Sequence, residues 1–312
     1  MPADSADSSW EITEPRTLDF EGPFAELHVR IVNGAVNVVG TEDPGARVEI
    51  AEVSGPPLRV RRTGGVLEID YEDVPWKGFL KWLDRKGWQR RAVVSVSVPA
   101  GVRLTVGVVG ADAVVSGIAG RTEVRGVWGG TTLVGLTGAV RADTVSGDVE
   151  TQGLAGGMRF NSVSGGLTMI DTVGSQVRAD SVSGSMVLDL APGGGPDVVL
   201  STVSGEIAVR LPEPTDARVQ VNTASGAVST AFDGLGSAGQ WGAWRLSGKL
   251  GTGRGRVKAD TVSGSVALLR RPPDPDETGD AMDGSTGEPA DGARGGVPDD
   301  VPEDAPSFSK DV

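Results

Sequence analysis

Six near-copies of one nine-residue motif lie between residues 142 and 267, and no other feature limits the possible folds as much. The copies read ADTVSGDVE, FNSVSGGLT, ADSVSGSMV, LSTVSGEIA, VNTASGAVS and ADTVSGSVA, with glycines at Gly147, Gly165, Gly184, Gly205, Gly226 and Gly264. Successive glycines are 18, 19, 21, 21 and 38 residues apart, and we interpret the last gap as two periods with a degenerate copy at Ser247-Gly248. A period near 20 residues predicts a β-solenoid, in which each repeat forms one coil.

The side chains around each motif glycine alternate between apolar and polar. Apolar residues lie seven and five positions before the glycine and two positions after it, a pattern typical of short strands with one buried face. The residues expected to point inward include Val140, Val177, Val198, Val219 and Val257. The valine two positions before the glycine shares the inward parity of the second strand. The inward positions are odd-numbered before the glycine and even-numbered around and after it, so the chain must bend between the two strands. We place this corner at the Asx–Ser/Thr dipeptide, such as Asp143-Thr144, because these side chains favour turns.

The Asx residue four positions before the glycine forms a further column, which we call the repeat-corner ladder. Its members are Asp143, Asn161, Asp180, Ser201, Asn222 and Asp260. Stacked residues lie about 4.8 Å apart, where two carboxylates would repel by roughly 3–4 kcal/mol at an effective dielectric constant of 20. No two carboxylates are neighbours in this order, and three basic residues lie on the same face two positions before a carboxylate with which they can pair: Arg141 before Asp143, Arg178 before Asp180 and Lys258 before Asp260. The column therefore predicts a structural electrostatic ladder rather than a metal site or a catalytic carboxylate pair.

Composition divides the chain into three parts. Residues 1–17 predict a flexible N-terminal arm, and the strand register extends with less fidelity over residues 18–271 as one solenoid. Residues 272–312 hold 12 acidic residues against Arg294 and Lys310, which accounts for most of the net charge of −13. This part has too few apolar residues to form a core and predicts a disordered acidic tail. The sequence shows neither a signal peptide nor an apolar stretch of about 18 residues, so we expect a cytoplasmic location.

The ADTVSG-type repeats and the late stretch WGAWRLSGKLGTGRGRVKADTVSGSVALLRR resemble a bacterial β-strand-repeat family known as "putative adhesin" or Toastrack domains. The resemblance covers roughly residues 20–271. It implies a β-solenoid without established catalytic residues and a link to cell-envelope stress systems. Members of the family are frequently tethered to a membrane helix, and no such helix is evident in this sequence.

The sequence holds few of the residues that catalysis or metal binding needs. It has no Cys and one histidine, His28, which lies in a strand-like run, so we expect no cofactor. The serines of the SG pairs lack a base, and Arg141, Asp143, Arg159 and Asp180, the residue types of polysaccharide-cleaving β-helices, recur as columns. An ice-binding Thr-x-Ser rank is disfavoured because its Thr would lie in the bend. We predict a non-enzymatic scaffold or interaction protein with a protein partner and without nucleic acid or small-molecule substrate; polysaccharide binding or cleavage is the alternative.

One segment, PWKGFLKWLDRKGWQRR at residues 75–91, breaks the repeat pattern and predicts a short amphipathic helix from Pro75 to Gly87. Its candidate interaction residues are Trp76, Lys77, Phe79, Leu80, Lys81, Trp82, Leu83, Arg85, Lys86 and Trp88. The helix either caps an end or flank of the solenoid or docks on an anionic surface. Docking on a membrane would make the protein peripheral at the inner membrane face.

The charges of this segment and of the tail predict a competition that liposomes can test. Six basic residues oppose Asp84 in the segment, and each contributes about 1 kcal/mol of attraction near an anionic membrane surface. If the acidic tail shields the segment, co-sedimentation with anionic liposomes is weak for the full chain and stronger after truncation at Arg271. Binding is then lost in the Trp76→Ala/Trp82→Ala variant. If truncation changes nothing and the Trp variant is destabilised instead, the segment is a cap.

Overall fold

The computed structural model describes residues 7–72, 89–173, 176–240 and 243–272, and every regular element within them is a β-strand. Eight strands precede the repeats: β1 (Ser8–Ile12), β2 (Arg16–Phe20), β3 (Glu26–Thr41), β4 (Ala46–Ser54), β5 (Leu58–Thr63), β6 (Val66–Asp70), β7 (Arg91–Pro99) and β8 (Arg103–Ser116). The others are β9 (Thr122–Gly126), β10 (Thr131–Val134), β11 (Val140–Thr144), β12 (Val149–Gln152), β13 (Met158–Asn161), β14 (Leu167–Thr172), β15 (Gln176–Ser181), β16 (Met186–Leu190), β17 (Asp197–Thr202), β18 (Ile207–Leu211), β19 (Ala217–Thr223), β20 (Val228–Thr230), β21 (Gly236–Gln240), β22 (Ala243–Leu250), β23 (Gly255–Thr261) and β24 (Val266–Arg270). The predicted all-β fold is confirmed for these residues.

Each motif copy lies between two strands that pair with different neighbours. The strands before the motif, β9, β11, β13, β15 and β17, pair in parallel in chain order, with Val140 beside Met158 and Met158 beside Val177. The strands after the motif, β10, β12, β14, β16 and β18, pair in parallel in the same way. We call these two groups the first sheet and the second sheet, and one pair of consecutive strands a coil.

The alternating pattern buries one face of each sheet. The column of Val140, Val177, Val198, Val219 and Val257 is at most 3% exposed, as predicted. The residue that follows each of these valines lies on the opposite, outer face, and it is polar in every case except Val199. Burying a valine side chain stabilises a fold by about 1.5–3 kcal/mol, so the repeated apolar columns supply much of the driving force for stacking.

The corner between the two strands differs from the predicted one. Thr144, Thr202 and Thr261, three positions before their glycines, end their strands and are 5–8% exposed. The next residue is exposed instead, as Val182 and Val203 show at 50% and 47%. The predicted corner at the Asx–Ser/Thr dipeptide and the predicted inward valine were therefore wrong, and the chain bends at the Val-Ser pair.

A hydrogen bond explains why the hydroxyl residue lies inside. The backbone N–H of Gly205 donates to Thr202 Oγ1 at 3.1 Å, and that of Gly184 donates to Ser181 Oγ at 2.9 Å. The hydroxyl thus has a partner within its own corner, which removes the cost of burying it. An ice-binding rank of threonines is also excluded at this position, because these side chains are not at the surface.

The serine and the glycine of the motif join each coil to the one below. Ser204 donates to the carbonyl oxygen of Val182 through both its backbone N–H, at 2.9 Å, and its hydroxyl, at 3.4 Å. A Cβ on Gly205 would lie 1.9 Å from the carbonyl oxygen of Gly184, so only glycine permits this approach. The nine residues recur because each coil needs the same capping hydroxyl, serine link and close glycine contact.

Chain order and stacking order differ at the last repeat. Strand β23 pairs in parallel with β17 on one side and β19 on the other, and β24 lies likewise between β18 and β20. The sixth motif copy is thus inserted between the fourth and the fifth. The predicted degenerate copy at Ser247-Gly248 was wrong, because these residues belong to β22, which is antiparallel to β19. The β21–β22 hairpin covers the edge of β19 that would otherwise be unpaired.

Asp216 holds the turn that leads into the inserted strand. Its carboxylate accepts hydrogen bonds from the backbone N–H groups of Arg254 and Gly253, from Arg254 Nε at 2.6 Å and from the Thr252 hydroxyl at 2.8 Å. The backbone N–H and guanidinium of Arg254, followed by the Thr252 hydroxyl, hold the pKa of Asp216 well below its usual range. Because Asp216 directly precedes β19, these contacts join the start of β19 to the start of β23.

The strands before the repeats extend both sheets. Strands β3 and β8 pair in parallel and are long enough to contribute to both sheets, since β3 also pairs with β6 along its first part and with β7 along its second. Strands β1 and β2 pair antiparallel with β5 and β4. Within the described part of the predicted flexible arm, residues 7–17, seven residues therefore lie in β1 and at the start of β2. Two apolar residues attach this otherwise polar segment to the core. Ile12 is 1% exposed, and the Trp10 ring packs edge-on against Phe20 with 5.1 Å between the ring centroids.

Two predicted features fall outside the described residues. Residues 73–88 and 273–312 are not described, so the predicted helix from Pro75 to Gly87 and the predicted acidic tail beyond Pro272 lie outside the described residues. The described residues up to Pro272 belong to one compact unit. Among the described residues, no helix is long and apolar enough to cross a membrane.

The glycine contact predicts a large difference between two Gly→Ala variants. At Gly205 a Cβ would overlap the Gly184 carbonyl, whereas at Gly193 it would meet no atom within 4 Å. We expect Gly205→Ala to lower the free energy of unfolding by about 1–3 kcal/mol or more and Gly193→Ala to change it by less than about 0.5 kcal/mol. Urea denaturation of both variants measures this, and equal stabilities would contradict the stacking described here.

Candidate functional site

The repeat-corner ladder lies on the outer face of the first sheet. Asn161 Nδ2 donates to Asp143 Oδ1 at 2.6 Å, and Asn222 Nδ2 donates to Asp260 Oδ1 at 2.7 Å. Because β23 is inserted before β19, the order down the column is Asp143, Asn161, Asp180, Ser201, Asp260 and Asn222. The inserted strand still leaves no two carboxylates adjacent. The described part of the chain contains no group of three or more His, Cys, Asp or Glu side chains placed to hold a metal ion.

Asp143 is held as a carboxylate by its neighbours. Arg141 Nε donates to Asp143 Oδ2 at 2.7 Å, and Asn161 donates to the other oxygen. Partial burial acts to raise the pKa of Asp143, but the hydrogen bonds from Arg141 and Asn161 outweigh it, and the pKa lies below its usual value. The side chain is therefore ionised at neutral pH and serves as an acceptor.

The other two predicted pairs have different outcomes. Lys258 Nζ lies 2.7 Å from Asp260 Oδ2, as the sequence predicts. Arg178 instead donates to Asp197 Oδ2 at 3.3 Å, and Asp197 also accepts from Arg256 at 2.6 Å. The prediction that Arg178 pairs with Asp180 was wrong, because the strand register places a second carboxylate within reach of Arg178.

A groove lined by four arginines opens on the same face of the first sheet. Arg141, Arg159 and Arg178 occupy the same position in three successive coils. Together with Arg121 they line a solvent-open cavity of about 380 Å³, which we call the arginine groove. Its remaining lining residues are Ala139, Val140, Gly157, Met158 and Gln176. The groove exists because Ala139 and Gly157, one strand position before the buried Val140 and Met158, have small side chains.

The four arginines differ in whether they are paired with a carboxylate. Arg141 and Arg178 are each fixed by a carboxylate and are about two-fifths exposed. Arg159 and Arg121 are exposed and make no hydrogen bond or ion pair with any residue that the structure describes. The centre of the groove thus carries a guanidinium group whose donors are available to a ligand.

Folding does not require three arginines in this column. Like charges on directly opposite strand positions are destabilising, and at about 4.8 Å their repulsion is roughly 1 kcal/mol even in water. The same column contains Val199 and Gln220 in other coils, so the sheet accepts uncharged residues there. The fold therefore does not need the positive charges of this column.

The outer face of the second sheet has a different character. Its charged residues in the repeat region are mostly acidic, including Asp148, Glu150, Asp189 and Glu206, and exposed apolar side chains such as Val187 lie among them. The positive charge of the arginine groove is therefore specific to one face and does not follow from the overall composition, which is acidic.

Comparison with known families decides the classification of the chain. The family model described as Toastrack DUF4097 matches residues 47–269. The chain belongs to the Toastrack family. Comparison with curated proteins gave no match. Among solved structures, this Toastrack chain is similar to the crystal structure of "a putative cell adhesion protein" from Clostridium sporogenes, at 11% identity and a TM-score of 0.26. That alignment covers 83% of this chain and 100% of the other, and a TM-score this low carries no argument.

Sequence reasoning singled out Arg141, Arg159 and Arg178 of this Toastrack groove, but it identified neither the other residues that line the groove nor their arrangement. Arg159 is followed two residues later by Asn161 rather than by a carboxylate, and this pattern indicates that Arg159 lacks a carboxylate partner in its own coil. The small size of the floor residues Ala139 and Gly157 was also evident from the sequence. Their meaning depends on which strands are neighbours, and the sequence alone did not supply that.

The Asp143 contacts predict a pH-dependent stability. Replacing Asp143 by Asn removes an ion pair that is partly exposed, so we expect a loss of up to about 1 kcal/mol at pH 7 with the fold intact, because Asn161 already occupies the column. The pKa of Asp143 is lowered in the folded state, so its contribution is present above the unfolded-state pKa and disappears as the pH falls through the folded-state pKa. Thermal unfolding of both proteins between pH 7 and pH 2 measures the difference.

Asp180→Asn is the matched control. Asp180 lies in the same column but forms no ion pair with a described residue. We expect Asp180→Asn to change the free energy of unfolding less than Asp143→Asn does. We also expect that the difference between Asp180→Asn and the wild type does not disappear at low pH. Equal pH profiles for the two variants would show that the Arg141–Asp143 pair contributes nothing.

Proposed function

We propose that this Toastrack protein is a non-catalytic β-solenoid that acts as an interaction scaffold at the bacterial cell envelope. One observation carries the proposal: the fold displays an arginine column that folding does not require, on a rigid sheet whose other charges are mostly paired. The family resemblance, with its link to cell-envelope systems, supplies the expected location of the partner.

The chemistry of the candidate residues supports binding over catalysis. A glycosidase needs one carboxylic acid with a raised pKa beside a second carboxylate. The pKa of Asp143 is shifted in the opposite direction, and Asp180 lies two strands away, with Asn161 between them. His28 is hydrogen bonded to Glu26 at 3.2 Å within β3 and lies far from the motif serines in the strand order. These residue types are present, but their arrangement repeats an ion-pairing pattern.

Membrane binding through residues 75–91 stays a second proposal. It is supported by the charge and tryptophan content of that segment alone, and the liposome experiment described above tests it independently of the arginine groove.

A binding assay with a chemical readout tests the proposed function. The full chain is incubated with purified bacterial cell-wall sacculi, sedimented, and the supernatant is analysed for released sugars by mass spectrometry. We expect saturable co-sedimentation without released products, and the same result for the Asp143→Asn/Asp180→Asn variant. Products that appear with the wild type and vanish with this variant would identify an enzyme. An absence of saturable binding would equally reject an envelope-binding role.

A further inference from the structure

We infer that the arginine groove binds an acidic polysaccharide that carries one carboxylate on each sugar ring. The inference rests on the proposed function, because it names the ligand class of the interaction surface. It requires three properties of the groove: a regular spacing of positive groups, a guanidinium group free to bind, and room for a sugar ring beside it.

The spacing of the arginines favours a linear ligand with regularly repeated charges. Arg141, Arg159 and Arg178 lie at the same position in successive parallel strands, and neighbouring strands are about 4.8 Å apart. A linear polymer of hexuronic acid carries a carboxylate on every sugar ring and can therefore contact several of these guanidinium groups at once. A guanidinium group binds a carboxylate through two parallel N–H donors, which makes arginine suited to this task.

The central arginine can bind without breaking an existing contact. Arg159 and Arg121 make no ion pair with a described residue, whereas Asp143 and Asp197 orient Arg141 and Arg178 on either side. A single anion would gain full interaction only at Arg159. A polymer gains contacts along the whole column, so the arrangement discriminates in favour of an extended polyanion.

The shape of the groove suits a sugar ring. Ala139 and Gly157 form a floor without long side chains, and the volume of about 380 Å³ falls within the range of small-ligand sites, which is about 300–1,000 Å³. The amide of Gln176 lines one end and offers both donors and acceptors to hydroxyl groups.

Nucleic acid fits the same groove poorly. The phosphates on one strand of a DNA duplex advance about 3.4 Å along the helix axis while they wind around it, so they do not follow a straight column of guanidinium groups. Proteins that hold single strands stack the bases on aromatic side chains, and no aromatic residue is among those lining the groove. A phosphate polymer is therefore a competing outcome of the test rather than the proposed ligand.

Calorimetric titration of the full chain with polygalacturonate tests the inference, with neutral dextran as the uncharged control. The main variant is Arg159→Gln, which removes the charge and places in this column the residue found at Gln220. A second variant, Gly157→Gln, fills the floor without changing charge; a Cβ at Gly157 meets only ordinary contacts, the nearest at 3.5 Å. The matched control is Arg210→Gln, an exposed arginine of β18 on the second sheet.

We expect polygalacturonate binding that weakens as salt rises, no binding of dextran, and about tenfold weaker binding for Arg159→Gln and for Gly157→Gln. Arg210→Gln should bind as the wild type does, and thermal unfolding should show all variants folded. The inference is overturned if polygalacturonate does not bind saturably at low salt, or if Arg210→Gln weakens binding as much as Arg159→Gln.

Two further outcomes separate this inference from the broader proposal. If polyphosphate or single-stranded DNA binds more tightly than polygalacturonate and depends on Arg159, the groove belongs to a phosphate polymer and the inference fails. If sacculi still bind to Arg159→Gln as they do to the wild type, the scaffold role stands and only the assignment of the groove fails. Cleavage of the polygalacturonate would reject the non-catalytic function instead.

Discussion

The close contact between motif glycines of neighbouring coils determines the rest of the repeat region. In each of the six copies, a Cβ on the glycine would lie 1.9–2.3 Å from a glycine carbonyl oxygen of the coil below. The absence of that atom lets the corners stack directly, and the serine beside the glycine fixes the same corner by hydrogen bonds to the preceding coil. Once the corners are aligned, every strand position in one coil lies beside its equivalent in the next.

This alignment converts short sequence patterns into continuous columns with different physical roles. Inward columns bury apolar side chains, the ladder alternates carboxylates with amides and a hydroxyl, and the arginine column concentrates positive charge. Stacking holds the arginines at equivalent strand positions, and Asp143 and Asp197 offset the charges of Arg141 and Arg178. The same constraint that builds the fold thus places Arg159 between two paired arginines.

The inserted last repeat shows that local similarity does not decide neighbours. The fifth and sixth copies present nearly identical faces, and the chain places the sixth between the fourth and the fifth. Contacts specific to this order stabilise it: Asp197 with Arg256, Asn222 with Asp260, and Asp216 with the turn before β23. The β21–β22 hairpin then covers the remaining edge of the first sheet. The segment that connects the fifth copy to the inserted sixth copy therefore also terminates the stack.

The sequence by itself determined the all-β class and the inward column from Val140 to Val257, because these depend on periodicity within a single coil. The ladder was predicted to hold no adjacent carboxylates in chain order, and this also holds in the observed stacking order. Only the tertiary structure decided that Thr202 points inward and that the bend falls at Val-Ser, since the backbone N–H of the motif glycine Gly205 donates to the buried hydroxyl. It alone decided the partner of Arg178, the place of β23 and the existence of the groove around Arg159. Those features depend on pairing between segments distant in the chain, and nearly identical repeats offer several such pairings that only specific long-range contacts distinguish.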